Sequence, residues 1–255
     1  TVLIEGEPGF TQIKMAKAVA ADEPVVEFDY YYSNGANIGT PRTTAPDGGS
    51  KWGHVFNPVV TDLFTVTQPP EGACFTTVMN WQSHRPINFD GHSYGQKDVE
   101  FSKFIDLPAR AGVPVEVAAA GKVPRKKIQD NGWRLCDAQE VSATFDTYYN
   151  YITSSLGEFS VCKNVFVATR SGWFSDRSAA YLANGRPVVL QDTGFSEHLP
   201  CGRGLFAVAD VEEATAAIDE IRGNYKHHSS WARELSIEYL DAKKLMGRIL
   251  DEVRI

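Results

Sequence analysis

From residue 75 onward, short apolar runs alternate with longer stretches in which apolar positions recur every three or four residues. The short runs, at 75–81, 114–119, 133–136, 164–168, 187–191 and 204–208, have the length and the β-branched and aromatic content of strands. The amphipathic stretches between them, at about 97–112, 123–131, 139–155 and 176–184, read as helices. Pro124 stands where a first helical turn accepts it, and Gly132 and Gly185 stand where helices stop. This alternation predicts repeated β-α units and an α/β fold, a Rossmann-like doubly wound parallel sheet of about six strands.

After the sixth strand, Asp210 with Glu213 forms a capping box, and Ala214, Ala217, Ile218 and Ile221 share a face, which predicts a helix over 211–222. Trp231, Leu235, Ala242, Leu245, Ile249 and Val253 make a second stripe and predict one further helix over 229–253, packed on the sheet or on a neighbouring domain. Residues 1–74 differ. They are rich in Gly, Pro, Thr and Asn and show only two short strand patterns, at 2–4 and 25–29. The expected organisation is therefore a partial N-terminal domain and linker over 1–74, with the linker at 57–60 and 68–70, and a sheet domain over 75–255. The partial domain is expected to pack beside the sheet and share a cleft with it. The chain opens at Thr1 without Met, straight into a strand-like run, as a fragment of a longer protein would.

Composition narrows the function. Of 255 residues, 43% are hydrophobic and 22% charged, which excludes disorder, and the net charge is −7. The longest basic run is Arg125-Lys126-Lys127, too little for a nucleic-acid surface. No apolar run reaches the ~18 residues of a membrane span. The four cysteines, Cys74, Cys136, Cys162 and Cys201, are widely separated and read as buried free thiols in a reducing, cytoplasmic compartment. The six histidines lie at no metal-ligand spacing, so no metal is expected, and His227-His228 is expected to be solvated.

In an open parallel sheet, ligands bind beyond the carboxyl ends of the strands, so chemistry is sought in the loops there. Ser171-Gly172-Trp173-Phe174-Ser175-Asp176-Arg177-Ser178 combines a Gly, small hydroxyl residues and a helix start. Unpaired amides and the positive end of the helix dipole suit a phosphate at such a place, and Arg177 would add a bidentate cation. An ordinary strand-to-helix turn with a surface Arg has the same spacing. The loop Asp192-Thr193-Gly194 offers a carboxylate and a hydroxyl to sugar hydroxyls, or is a plain turn with a helix cap. No G-x-G-x-x-G follows a strand, no P-loop occurs, and no G-x-S-x-G elbow is present.

The run Ser171 to Gly194, with its glycine turn opening a helix and the strand Gly185-Arg186-Pro187-Val188-Val189, resembles the donor-binding segment of GT-B glycosyltransferases. The segments at 94–101 and 157–164 resemble parts of a bacterial branch of these enzymes. The resemblance covers about 75–255, with 1–74 as the tail of the acceptor-side domain. It implies transfer of a sugar from a UDP-, GDP- or TDP-sugar donor, with no other cofactor, to an acceptor it does not identify. It implies donor contacts at Asn80, Trp81, Lys97, Gly172, Trp173, Phe174, Ser175, Asp176, Arg177, Ser178, Asp192, Thr193 and Gly194. Lys97, Arg177 and Asp192 are the candidates for catalytic roles. Retaining members of the fold carry a Glu, seven residues, Glu pattern where this chain has Gly172 and Ala180. Two other readings share the donor cradle: a GT-B-fold sugar-nucleotide epimerase, and a non-catalytic nucleotide-sugar-binding protein.

Overall fold

A computed structural model describes residues 1–253; residues 254 and 255, the last two of the expected sheet domain, lie outside the described residues. Residues 1–74 form a three-stranded parallel sheet in the order β1 (Val2–Glu5), β2 (Tyr30–Ser33) and β3 (Trp52–His54), with helix α1 (Phe10–Ala20) after β1. The second strand lies after the predicted 25–29, on the Tyr30-Tyr31-Tyr32 run. Tyr32 and Ser33 are buried there, while most of 22–29 is exposed. The first helix and the third strand had weak patterns: α1 buries only Phe10, Gln12 and Ile13.

The main sheet has six parallel strands: β4 (Phe75–Asn80), β7 (Val115–Ala120), β8 (Arg134–Asp137), β9 (Gly157–Ser160), β10 (Val188–Gln191) and β11 (Leu205–Val208). A small antiparallel hairpin, β5 (Ile87–Phe89) and β6 (His92–Tyr94), follows β4 and turns at Asp90-Gly91, both with positive φ. The order across the main sheet is β11-β10-β9-β4-β7-β8. Numbered within the sheet this is 6-5-4-1-2-3, the doubly wound order, and the direction of winding reverses between β4 and β9.

The fourth strand corrects the sequence reading. Residues 164–168 form the short helix α7 (Asn164–Ala168), and the strand lies earlier, at β9. Every β9 residue is buried, yet two of the four are Glu158 and Ser160, whose polarity hid the strand. In α7 the β-branched pattern of Val165 and Val167 yields to tertiary packing, with Val165 and Phe166 in the core.

Several helices are shorter than their patterns suggested. The stretch 97–112 divides into α2 (Lys97–Phe101), a 3₁₀ turn and α3 (Leu107–Arg110), with a proline at the start of α3. The helix at 123–131 is α4 (Arg125–Asp130), and 139–155 divides into α5 (Ala138–Val141) and α6 (Phe145–Thr153), where Thr144 restarts the helix by accepting from the Thr147 amide. After α8 (Asp176–Ala183) and α9 (Val211–Gly223), the predicted 229–253 helix is two: α10 (Tyr225–Tyr239) and α11 (Ala242–Val253). The break is set by Asp241, whose carboxylate accepts from the Lys243 and Lys244 amides and from Thr61 Oγ1, while the Ala242 amide donates to Val59 O.

Alternation along β10 divides the interior between the two faces of the sheet. Val188 and Leu190 belong to a cluster with α8, α10 and α11 that continues into Phe10, Ile13, Tyr32, Phe56 and Phe64 of the N-terminal segment. Val189 packs on the opposite face with Phe104, Ile128 and Ile218. His228, expected in solvent, is 2% exposed: its Nδ1 accepts from the Gly204 amide and its ring packs on Phe206. The four cysteines are free, but Cys201 is exposed and Cys136 half-buried rather than buried.

Gly204 has φ +70°, and a Cβ there would lie 2.4 Å from the Ala232 amide nitrogen. Gly204→Ala should therefore lower stability by about 2–4 kcal/mol, combining left-handed strain with overpacking against α10, as read by urea unfolding.

Candidate functional site

The carboxyl ends of β4 and β9, where the winding reverses, carry most of the ionisable side chains of interest. Lys97 opens α2 beyond β4, Lys163 follows β9, and Arg177 lies in the first turn of α8. These three cations face two carboxylates. Arg177 Nε donates to Glu158 Oε1 at 2.5 Å, Nη1 to Val78 O at 2.6 Å and Nη2 to Ser160 Oγ at 2.5 Å. Burial works against the charge on Arg177, but Glu158 outweighs it and holds the guanidinium protonated more firmly than usual. The second carboxylate, Glu7, comes from the turn after β1 and holds Lys163 Nζ at 2.5 and 2.6 Å.

Of the three cations, Lys97 alone has no hydrogen-bond partner for its side chain among the described residues. It is 7% exposed. Burial and the charges of Arg177 and Lys163 push its amine down to about 7, with Cys162 and Glu158 opposing. Below that pH the folded and unfolded chains both carry the proton. Between about 7 and the ordinary 10.5 only the unfolded chain does, so this group makes the fold more stable as pH rises through that window. An unpaired buried ammonium invites an anion. Among the described residues of these segments, four buried polar side-chain atoms have no partner: Gln96 Oε1, beside Lys97 in sequence, Glu158 Oε2, Ser171 Oγ and Ser178 Oγ, the last beside Arg177.

The loop before α8 is fixed from both sides. Arg170 O accepts from Asn37 Nδ2, Ser171 O from the Asn37 amide, Gly172 O from the Ala36 amide, Trp173 O from Thr193 Oγ1 and Phe174 O from Asn57 Nδ2. The Gly172 amide donates to Thr193 O at 2.7 Å. Gly172 has φ +76°, and a Cβ would stand 2.7 Å from the Asn37 amide nitrogen. The N-terminal segment thus sets the shape of this loop. The donors it leaves are the first-turn amides of α8, which have no intrahelical acceptor, with Ser175 at the N-cap making no capping bond.

The structure assigns the other sequence candidates as follows. Trp81, Trp173 and Phe174 are core side chains, packed on Phe101, Phe166 and Phe195 respectively. Asn80 and Asp176 are exposed beside the crevice. Asp192 accepts from the Gly194 and Ser196 amides and from Ser196 Oγ, so its carboxylate caps its own turn, and Thr193 is 1% exposed. Gly194, with φ +94°, closes that turn. Arg177, expected either to give a phosphate a bidentate cation or to be a surface Arg, points instead into the sheet and spends its donors on Glu158, Val78 O and Ser160. Lys163, Glu7, Gln96 and Glu158 were absent from the sequence candidates. Reading β9 at 157–160 would have placed Lys163 at a strand's carboxyl end.

Comparison with solved structures agrees with this topology. AviGT4, a glycosyltransferase involved in avilamycin A biosynthesis, superposes with a TM-score of 0.58 at 12% identity, covering 88% of this chain and 63% of its own. HepE of Anabaena, in complex with UDP and glucose, gives 0.63 at 11% identity over 99% of this chain and 71% of its own. The sucrose-phosphate synthase of Thermosynechococcus elongatus gives 0.58 at 12% identity over 99% and 67%. The fold is that of the GT-B glycosyltransferases. This chain spans 63% to 71% of the length of those three GT-B structures. No protein-family model matches the chain, and no curated protein is similar to it in sequence. Among the described residues, no helix is long and apolar enough to cross a membrane.

Arg177→Ala should destabilise the fold by ~3–5 kcal/mol, because it strands the Glu158 carboxylate in the core. Arg177→Met combined with Glu158→Leu should recover most of that loss in denaturant unfolding, since an apolar pair replaces the buried charges.

Proposed function

We propose that the chain is the donor-binding part of a glycosyltransferase that uses a nucleotide-sugar, with the diphosphate at the crevice between β4 and β9. The observation that carries this reading is Lys97: a buried ammonium without an anion, at the switch point of a doubly wound sheet. The first-turn amides of α8 and the unpartnered Ser178 hydroxyl would complete the phosphate contacts. Asp192, Thr193 and Gly194 would border the sugar through their backbone, since the Asp192 carboxylate caps its own turn and the Thr193 hydroxyl donates to Trp173 O. The neighbours support the reading through their chemistry, as HepE is known with UDP-glucose.

In this arrangement the protein would stabilise charge developing on the leaving diphosphate as the glycosidic bond breaks. Lys97 supplies the positive charge, and Arg177 serves by holding α8 against β9 and β4 so that the helix amides stay aimed at the crevice. A cytoplasmic location fits four unpaired thiols.

Two measurements test the assignment. Isothermal titration with UDP, GDP and TDP should show one of them binding, and Lys97→Met should weaken it about tenfold or more, the loss of one charged hydrogen bond. Binding requires Lys97 protonated while the free protein holds it at about 7, so the nucleotide should bind progressively more weakly as pH rises from 7 to 9. Lys97→Met should flatten that slope. Release of nucleoside diphosphate from the sugar donor on adding acceptor would mark transfer, and an altered sugar on the intact donor would mark epimerisation.

A further inference from the structure

Two lysines flank the switch point, and only one is without an anion. Lys163 is paired with Glu7, whose two carboxylate oxygens both lie within 2.6 Å of Nζ. The partners come from different sheets: Glu7 lies beyond the carboxyl end of β1, Lys163 beyond the carboxyl end of β9. The lysine side chain is 10% exposed and the glutamate 37%, so water reaches the carboxylate far more than the amine. Lys163 Nζ also lies 5.5 Å from the centroid of the Phe166 ring, which keeps its stem against the core. Its charge acts on Lys97, so an anion seated on Lys97 also lies in the field of Lys163.

We propose that Lys163 is a second ligand of the donor diphosphate and that Glu7 occupies it in the ligand-free protein, to be displaced when the donor binds. This rests on the reading of the crevice as a donor site and adds to it a residue and a competition. Carboxylate and phosphate oxygens are alternative acceptors for the same ammonium. Lysine, a point charge on a flexible stem, exchanges them without the geometric demands of a guanidinium. Glu7 can leave without disturbing its turn, because its backbone is held independently: its amide donates to Glu5 Oε2 at 2.8 Å and its carbonyl accepts from the Thr11 amide at 3.0 Å. Neutralising Lys163 in the empty protein avoids two adjacent unpaired ammonium groups in a partly desolvated crevice.

The test is calorimetric titration of UDP, GDP and TDP into the wild type, Glu7→Gln, Lys163→Met and the double variant, each checked for native circular dichroism. Removing the competing carboxylate should tighten the nucleotide that binds by about tenfold, whereas Lys163→Met should weaken it by a similar factor. In the Lys163→Met background, Glu7→Gln should bring no gain. If Glu7→Gln does not fold, Glu7→Asp, whose shorter carboxylate reaches Lys163 less well, should show a smaller gain. Unchanged or weaker binding by the folded Glu7 variant overturns the proposal, as does a gain that persists without Lys163. In either case the donor-site reading stands provided Lys97→Met still weakens binding. Failure of all three diphosphates to bind any form overturns the donor-site reading itself, and this proposal with it.

Discussion

The ion pair between Arg177 and Glu158 holds the carboxyl edge of the sheet together at the switch point. Each remaining guanidinium bond reaches a different element: one goes to the β4 backbone at Val78, and another to Ser160 on β9, which in turn meets Thr77 of β4 at 3.0 Å. Only the first two residues of β4 pair with β9 in the ladder, Phe75 with Gly157 and Thr76 with Glu158. Beyond that point the ladder between the two strands stops. Arg177 spans the two strands from α8 and replaces the missing ladder bonds with side-chain bonds. A charge used this way is costly to bury alone, and Glu158 opposite makes the arrangement tenable.

Fixing Arg177 inward also sets the electrostatics of the opening. With Arg177 and Lys163 both carrying carboxylate partners, the unsatisfied positive charge at the switch point resides on Lys97. Three cations thus lie close together, two of them neutralised by the protein's own carboxylates, so their mutual repulsion is contained. The same principle operates in the loop before α8, where five successive carbonyls, from Arg170 to Phe174, accept from Asn37, Ala36, Asn57 and Thr193. With its acceptors satisfied, this segment presents to the crevice the donor end of a helix.

How far the sequence discloses this follows from where hydrophobicity and function coincide. Strands β4, β7, β8, β10 and β11 were legible because their apolar runs exist to be buried. Strand β9 was not, because its buried face carries the site's own polar groups, Glu158 and Ser160, and the neighbouring Val-Phe-Val of α7 made a stronger β pattern. The glycine turn and the start of α8 were legible from local chemistry, whereas Lys97 was named only through the family resemblance. The inward course of Arg177 was not, since residues at a helix start show no sign of a partner 19 positions away. Glu7 lies further still, 156 residues from Lys163, in a segment whose composition suggested little structure.

The N-terminal segment shapes the same edge of the main sheet. Its strands run parallel, and their carboxyl ends meet those of the main sheet: Glu7 after β1 reaches Lys163 after β9, Ala36 and Asn37 after β2 reach Gly172, and Phe56 after β3 packs on Phe174. Two parallel sheets meeting by their carboxyl ends bring both sets of loops, where backbone groups and side chains are free of the ladders, to one surface. Contacts across that surface extend past β9 and β10 to the segment between β4 and α2, where the Phe10 ring stacks on His84 at 5.0 Å and Lys17 Nζ donates to Asn88 O. Lys97 opens α2 at the end of that segment, and its ammonium has no hydrogen-bond partner among the described residues, although the contacts around it neutralise Lys163 and shape the α8 loop.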